Sequence, residues 1–239
     1  MDFNGKNILI VGGTSGIGLA VVQQLHSQGA TVIVASRTDS PDLQALGIKH
    51  IALDVTQNTD ALSAQLPETL HGVVYCPGTI NLKPFARLTE NDFMHDWQVN
   101  VMGAIKVLQV AVPNLKKAQG AGVVLFSTVA AGTGMNFHAS IASAKGALEG
   151  LTRSLAAEYA ASRIRFNAIA PSLTDTPLAG NLLSTPERRE ASDKRHPLGR
   201  IGNAGELAKM AVFLLSEDAG WITGQIMHVD GGMSALKTG

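Results

Sequence analysis

The sequence predicts an α/β fold in which a doubly wound parallel sheet carries helices on both faces. Short apolar runs alternate with stretches of helical periodicity, and a glycine-rich turn joins the first run to the first helix. No shift in composition, repeat or linker divides the chain of 239 residues, so one large domain is expected. Strands that alternate with helices pair in parallel through right-handed crossovers, which place helices on both sides of the sheet.

Asn7–Val11 (NILIV) is a short apolar run closed by Gly12-Gly13, the pattern of a buried parallel strand. Gly16 to about Gln28 reads as a helix whose apolar face holds Leu19, Ala20, Val22 and Leu25. Thr31–Ala35 (TVIVA), Lys49–Leu53 (KHIAL), Gly72–Tyr75 and Val123–Phe126 (VVLF) follow as strands two to five. A long helical stretch from about Phe93 to Lys117 separates the last two. Ile141–Ala161 is a second long helix, and Ile164–Ala168 and Gln225–Val229 complete a seven-stranded sheet. From Ser172 to about Gly205 the alternation lapses into a segment with Pro177, Pro186, Pro197 and many charges. Ligands of doubly wound sheets bind beyond the carboxyl ends of the strands. Residues around 173–205 follow strand six on that side, so they read as a substrate lid, with a plain surface excursion as the alternative.

Lys+Arg and Asp+Glu are equal at 19 each, so no net field directs the chain to nucleic acid or to an anionic membrane. Cys76 is the only cysteine, which rules out an internal disulfide and agrees with a reducing compartment. No apolar run approaches the ~20 residues that span a bilayer, and the polar start is unlike a signal peptide. A cytoplasmic protein without nucleic-acid or membrane partners is expected. The histidines and acidic residues lack metal-ligand spacing, so no metal is expected, and Asp193 and His196 read as lid surface.

Gly12-Gly13-Thr14-Ser15-Gly16-Ile17-Gly18 follows a strand and opens a helix. Side chains at those glycines would obstruct an approaching pyrophosphate or the packing of helix on strand. The helix start offers free N–H groups and partial positive charge to phosphates. Ser36-Arg37 ends strand two, where the adenosine ribose of a dinucleotide is expected. No carboxylate at 35–38 is present to accept from a free 2′-hydroxyl, and the Arg37 guanidinium suits a 2′-phosphate. NADP(H) is therefore favoured over NAD(H), a solvated arginine being the competing reading.

Three stretches together resemble the short-chain dehydrogenase/reductase family over nearly the whole chain. They are the Gly12, Gly16, Gly18 spacing, the segment Ala139-Ser140-Ile141-Ala142-Ser143-Ala144-Lys145-Gly146, and the ending Val229-Asp230-Gly231-Gly232. Within it the chain resembles members of the 3-oxoacyl-acyl-carrier-protein reductase kind, as a divergent member. The resemblance implies a single Rossmann-type domain over 1–239, with 1–120 mainly for the cofactor and 121–239 for catalysis and substrate. It also implies a nicotinamide cofactor, hydride transfer with a small-molecule substrate, and a homodimer or homotetramer. Small residues Ala142, Ala144, Gly146, Ala147 and Gly150 on the second long helix would permit close approach of a neighbouring helix. By the same resemblance Asp54-Val55 meets the adenine, and Cys76-Pro77-Gly78 stands where relatives carry Asn-Ala-Gly. Cys76 reads there as a small buried residue. Pro171-Ser172-Leu173-Thr174-Asp175-Thr176 corresponds to the segment that holds carboxamide and phosphates, with Thr174 and Thr176 as contacts and Ser172 in place of a glycine.

In active relatives a tyrosine protonates the carbonyl oxygen, and a lysine binds the ribose and lowers the tyrosine pKa. A serine steadies the substrate oxygen, and an asparagine anchors a proton-relay water. Carried onto this chain, Lys145 and Asn100 are retained, and Thr128, with Ser127 beside it, takes the serine's place. Ile141 stands where the tyrosine would be, four residues before Lys145. Isoleucine has no proton to give, and general acid catalysis is worth roughly 10²–10⁴ in rate. Tyr159 lies beyond Lys145 by about 21 Å of helix at a rise of about 1.5 Å per residue, and Tyr75 reads as a packed strand residue.

His138, seven residues before Lys145, has the spacing of the active-site tyrosine in the related enoyl reductases and is an alternative acid. An exposed loop histidine is the competing reading. Ser140 and Ser143 are within sequence reach of the site but are far weaker acids, and Met135, Phe137 and Ile141 suggest an apolar pocket floor. Two functions stay open: an NADP(H)-dependent oxidoreductase with an atypical proton donor, and a catalytically silent dinucleotide-binding relative acting as sensor or protein partner.

Overall fold

The computed structural model describes residues 1–237. Its strands are β1 (Asn7–Val11), β2 (Thr31–Ser36), β3 (Lys49–Ala52), β4 (Gly72–Tyr75), β5 (Ala121–Phe126), β6 (Ile164–Pro171), β7 (Thr174–Asp175), β8 (Gly202–Asn203) and β9 (Ile226–Val229). Its helices are α1 (Gly16–Ser27), α2 (Pro41–Ala45), α3 (Glu90–Trp97), α4 (Gly103–Lys116), α5 (Val129–Gly132), α6 (Ala139–Tyr159), α7 (Pro186–Asp193) and α8 (Ala204–Leu215). Seven strands form one parallel sheet in the order β3-β2-β1-β4-β5-β6-β9. The chain winds outward from β1 in one direction and from β4 in the other. The crevice at that reversal is where ligands of such sheets bind.

Successive residues of β1 face opposite sides of the sheet, as a period of two requires. Ile8 and Ile10 join the core under α1 and α8, with Val21, Val22, Leu207 and Val212. Leu9 and Val11 join the core under α4 and α6, with Val107, Leu108, Leu115 and Leu148. Both faces are thus buried by helices, which explains why the strands read as nearly unbroken apolar runs. Among the described residues no helix is long and apolar enough to cross a membrane.

Three departures from the sequence reading bear on function. β6 runs three residues past Ala168, because Ala168–Pro171 pairs with β9 after the pairing with β5 ends at Ile169. The single helix expected over about 93–117 is α3 and α4 joined by a π-helical turn, Gln98–Met102, which carries Asn100 into the interior. The helix also starts earlier, where Thr89 and Asp92 form a reciprocal capping box.

The third departure lies within the 173–205 segment. A 3-10 turn (Pro177–Leu183) and α7 stand on a parallel bridge that pairs Thr174 with Gly202 and Asp175 with Asn203. Ala179, Leu183 and Ile201 give it a small core of its own. His196 is buried and Asp193 half-buried, where both were expected at the lid surface. Asp193 Oδ1 accepts from the Ile201 N–H at 2.8 Å, and His196 is 3% exposed. The imidazole Nδ1 faces the Ser192 carbonyl at 2.8 Å, so that nitrogen carries the proton and Nε2 meets the Ser172 hydroxyl at 2.8 Å. His196 therefore ties the end of α7 to the end of β6.

Candidate active site

The carboxyl ends of β1, β2, β4, β5 and β6 open onto a cleft of about 1230 Å³ that the 173–205 segment helps to wall. Typical small-molecule pockets measure about 300–1,000 Å³. The extra room suits an extended ligand with a small molecule beside it.

At one side of the cleft the turn after β1 presents Gly12, Thr14, Ser15, Gly16, Ile17 and Gly18. Gly16 has φ +53°, a left-handed conformation that side chains disfavour, and a Cβ there would press on Thr176 at 3.3 Å. A Cβ on Gly18 would collide with the Gly12 carbonyl, so α1 packs directly on the turn. Ser15 caps α1 with its backbone alone, and no carboxylate occupies the first turn. The first N–H groups of α1 are thus left free, a fitting seat for a pyrophosphate. Gly13 differs from expectation. It does not line the cleft but fits between the side chains of Val22 and Val34, serving helix–strand packing.

Toward β2 and β3 the wall holds Arg37, Asp54 and Val55. Asp54 Oδ1 accepts from the Thr56 N–H (2.9 Å) and hydroxyl (2.7 Å), and these bonds hold its carboxyl below the usual range. Arg37 has no carboxylate partner among the described residues. The nearby Asp39 is turned to its own turn, accepting from the Ser40 N–H at 2.7 Å and from Gln44 Nε2 at 2.9 Å.

At the other end Cys76, Gly78, Thr128, Ile141, Lys145, Thr174 and Thr176 line the cleft together. Lys145 projects from α6, is 6% exposed, and donates from Nζ to the Phe126 carbonyl at 2.6 Å. Burial pulls its ammonium down to about 8, with Cys76 and Asp96 acting in the opposite sense. Burial pushes the Cys76 thiol up to about 12 despite Lys145, which leaves it protonated and a poor nucleophile at neutral pH. Thr128 accepts from the Ala130 N–H at 3.3 Å and caps α5. Ser127 is buried and donates to Glu149 Oε1 at 2.7 Å.

Asn100 lies just behind this wall. Its Nδ2 donates to the Asp96 carbonyl (2.7 Å) and to Thr79 Oγ1 (3.0 Å), while Oδ1 is buried with no partner among the described residues. A Cβ on Gly78 would come within 3.5 Å of that oxygen and 3.7 Å of Lys145 Nζ. Glycine at 78 thus keeps open a space bordered by an unspent acceptor and an ammonium, suited to a water.

Asp96 was not legible as a site residue. It is wholly buried, and its two oxygens accept from the Thr79 hydroxyl and the Ser140 hydroxyl, each at 2.5 Å. Its place four residues before Asn100, hence on the same helical face, was the available signal. Ser140 therefore points at Asp96, and Ser143 bonds its own helix at the Ala139 carbonyl (2.7 Å); neither lines the cleft. Met135 and Ile141 form apolar wall as expected, but Phe137 does not: with φ +69° it turns outward and is 55% exposed.

His138 lines the cleft mouth at the start of α6, its Nδ1 meeting the Asn136 carbonyl at 2.6 Å, which leaves Nε2 free. Neither tyrosine lines the cleft. Tyr75 is buried and donates to the Val99 carbonyl at 2.5 Å, and burial pushes its phenol pKa upward. Tyr159 packs on Phe166.

Comparison with known proteins agrees with this geometry. Residues 11–234 match the family model described as enoyl-(acyl carrier protein) reductase. The chain is 34% identical to a tropinone reductase homologue of Arabidopsis thaliana over 98% of its own length and 94% of that protein's. It is 32% identical to the L-xylulose reductase of Bos taurus, over 97% of each chain. Among solved structures, a short-chain type dehydrogenase/reductase from Mycobacterium ulcerans superposes with a TM-score of 0.91 at 30% identity, covering 99% of this chain and 92% of that one. ElxO solved with NADP bound superposes at 0.89 with 25% identity, covering 97% and 99%. A Rossmann-type cleft, an intact phosphate turn and similarity along almost the entire length lead to one conclusion: the chain belongs to the short-chain dehydrogenase/reductase family.

Proposed function

We propose that this protein is an NADP(H)-dependent oxidoreductase that transfers hydride to a small organic substrate and draws the accompanying proton from Lys145 rather than from a phenol. The observation that carries this reading is the buried Lys145 ammonium, which shares the cleft wall with Ile141 and is brought by burial to about 8. A group of that pKa is well matched to general acid work near neutrality.

The dinucleotide fits the residues present. Free N–H groups of α1 would hold its pyrophosphate, Asp54 and Val55 would flank the adenine, and Arg37 would pair with a 2′-phosphate. Thr174 and Thr176 would border the nicotinamide end, near Lys145. ElxO, a similar protein, has been solved with NADP bound, in line with this preference. When bound, the nicotinamide supplies or accepts hydride at its C4.

Thr128 would donate a hydrogen bond to the substrate oxygen, and Met135 and Ile141 would give an apolar seat that excludes water. Lys145 Nζ would release a proton to that oxygen as the C–H bond forms, directly or through a water held by Asn100 Oδ1. The neutral amine would then regain its proton from solvent. With no phenol placed at the reacting oxygen, substrates that need little acid assistance are favoured, such as activated alkenes, imines, quinones and electron-poor ketones. The 173–205 segment would serve as the lid over that substrate.

The test is NADPH oxidation by the purified protein with a panel of such acceptors, repeated for His138→Ala. Turnover that persists without His138 and falls above about pH 8 supports the reading. Turnover abolished in His138→Ala would transfer the acid role to the imidazole.

A further inference from the structure

The 173–205 segment carries five lysines and arginines: Arg188, Arg189, Lys194, Arg195 and Arg200. Three are neutralised locally. Arg189 pairs with Asp175 at 2.8 Å, Lys194 with Glu190 at 2.6 Å and Arg200 with Glu206 at 2.5 Å. Arg188 and Arg195 have no carboxylate within ion-pair distance among the described residues, and these two are the ones that line the cleft.

Their placement follows from helical spacing. Residues 188, 192 and 195 repeat at four and three, so Arg188, Ser192 and Arg195 share the cleft-facing side of α7 and its last turn. Neighbours fix both side chains while leaving most of their donors unspent. Arg188 Nη1 donates to the Asn181 carbonyl and to Ser184 Oγ, both at 2.9 Å, and Arg195 Nη2 donates to Ser192 Oγ at 3.0 Å. The cleft wall contains a single acidic residue among those described, Asp54, on the β3 side already engaged by Thr56. Nothing in the wall of the 173–205 side offsets the two guanidinium groups.

We infer that the substrate carries an anionic group, a carboxylate or phosphate ester, seated between Arg188 and Arg195 while its reducible carbon lies near Thr128 and Lys145. The inference deepens the oxidoreductase reading and rests on it for the position of the reacting carbon. Arginine suits the task because its planar fork matches carboxylate and phosphate oxygens, and hydrogen bonds between ionised partners are about twice as strong as neutral ones. The phosphates of the dinucleotide have other seats, the start of α1 and Arg37, which leaves this pair for the substrate.

Calorimetry with 4-oxopentanoate, its uncharged methyl ester and inorganic phosphate tests the inference, each titrated into the parent and into Arg188→Gln/Arg195→Gln, with and without saturating NADPH. Both side chains are exposed, so the fold should tolerate the change. The acid should bind at least about tenfold more tightly than the ester, a difference of about 1.4 kcal/mol. That preference should vanish in the double variant, return in part with Arg188→Lys/Arg195→Lys, and leave NADPH affinity within about twofold. Equal binding of acid and ester, a preference that survives the double variant, or no anion binding at millimolar concentration would overturn it. A tenfold or greater loss of NADPH affinity in the double variant would also overturn it, by assigning the arginines to the cofactor. Failure of NADPH to bind the parent would instead sink the oxidoreductase reading, and the acid-over-ester comparison without nucleotide would still report on the arginines.

Discussion

Ile141 and Lys145 lie one helical turn apart on the buried side of α6, so a hydrocarbon and an ammonium border the same stretch of cleft. The similarity of the chain to known reductases makes this pairing informative. Lys145 stands where the family pattern has its lysine, and Ile141 stands where that pattern has its tyrosine.

Ile141→Tyr should supply the phenol of that pattern. The position is lined by cleft space, into which a phenol can extend. Reduction of simple ketones should rise, by at most roughly 10²–10⁴, if a phenol at 141 is a better-placed acid than Lys145, with NADPH affinity little changed. Steady-state assays on the parent and the variant check this; an inert variant that still binds NADPH would show that more than the acid is missing.

Lys145 should leave two signatures of its depressed pKa. Protonated Nζ is present below about 8 and disappears above it, so reduction should fall as pH rises through that value. For stability, the folded state sheds this proton near 8 while the unfolded chain holds it to about 10.5. Between those values the unfolded state binds more protons, and stability rises with pH. Thermal melts at both ends of that window should show a rise in the parent that is reduced in Lys145→Met; an identical pH response in both would contradict the assignment.

Asp96→Ala should destabilise the protein by on the order of 2–4 kcal/mol, because the half-buried Thr79 hydroxyl and the buried Ser140 hydroxyl lose their acceptor. Asp96→Asn keeps the shape and one acceptor, and should cost less. Urea denaturation of the three proteins measures the order; a neutral Asp96→Ala would mean the network contributes nothing net.

These contrasts show what the sequence could reveal. The strands were readable because burial on both faces leaves β-branched runs such as Val123-Val124 unbroken, and the phosphate turn because Gly16 and Gly18 serve geometry that side chains forbid. Lys145 and Ile141 were readable only through the resemblance of their segment to the family's active-site pattern. Asp96 was not, because its partners Thr79 and Ser140 come from segments distant in sequence. His196 looked like surface for the same reason: its bond to Ser172 exists only once α7 folds back over β6. The π-helical turn at Asn100 escaped notice since its residues fit an ordinary helix equally well by pattern.

Arg37→Ala should weaken NADPH binding by about tenfold or more while leaving NADH almost unaffected, since only the former offers a 2′-phosphate. Parallel titrations with the two nucleotides decide it. Equal losses for both would place Arg37 outside the ribose site.

Sedimentation should show a dimer or tetramer. Gly146 and Gly150 on α6 have nothing within 4 Å of a built Cβ, β9 stands at the edge of the sheet, and Trp221 is 99% exposed. A monomer at micromolar concentration would contradict this.

Every proposed step requires dinucleotide binding in a cleft that lacks the phenol. Titrating NADPH into the unmodified protein while following nucleotide fluorescence measures this directly. Saturable binding in the low micromolar range, competed by NADP and weakened by Lys145→Ala, is the predicted result. A signal that fails to saturate at millimolar nucleotide would contradict it.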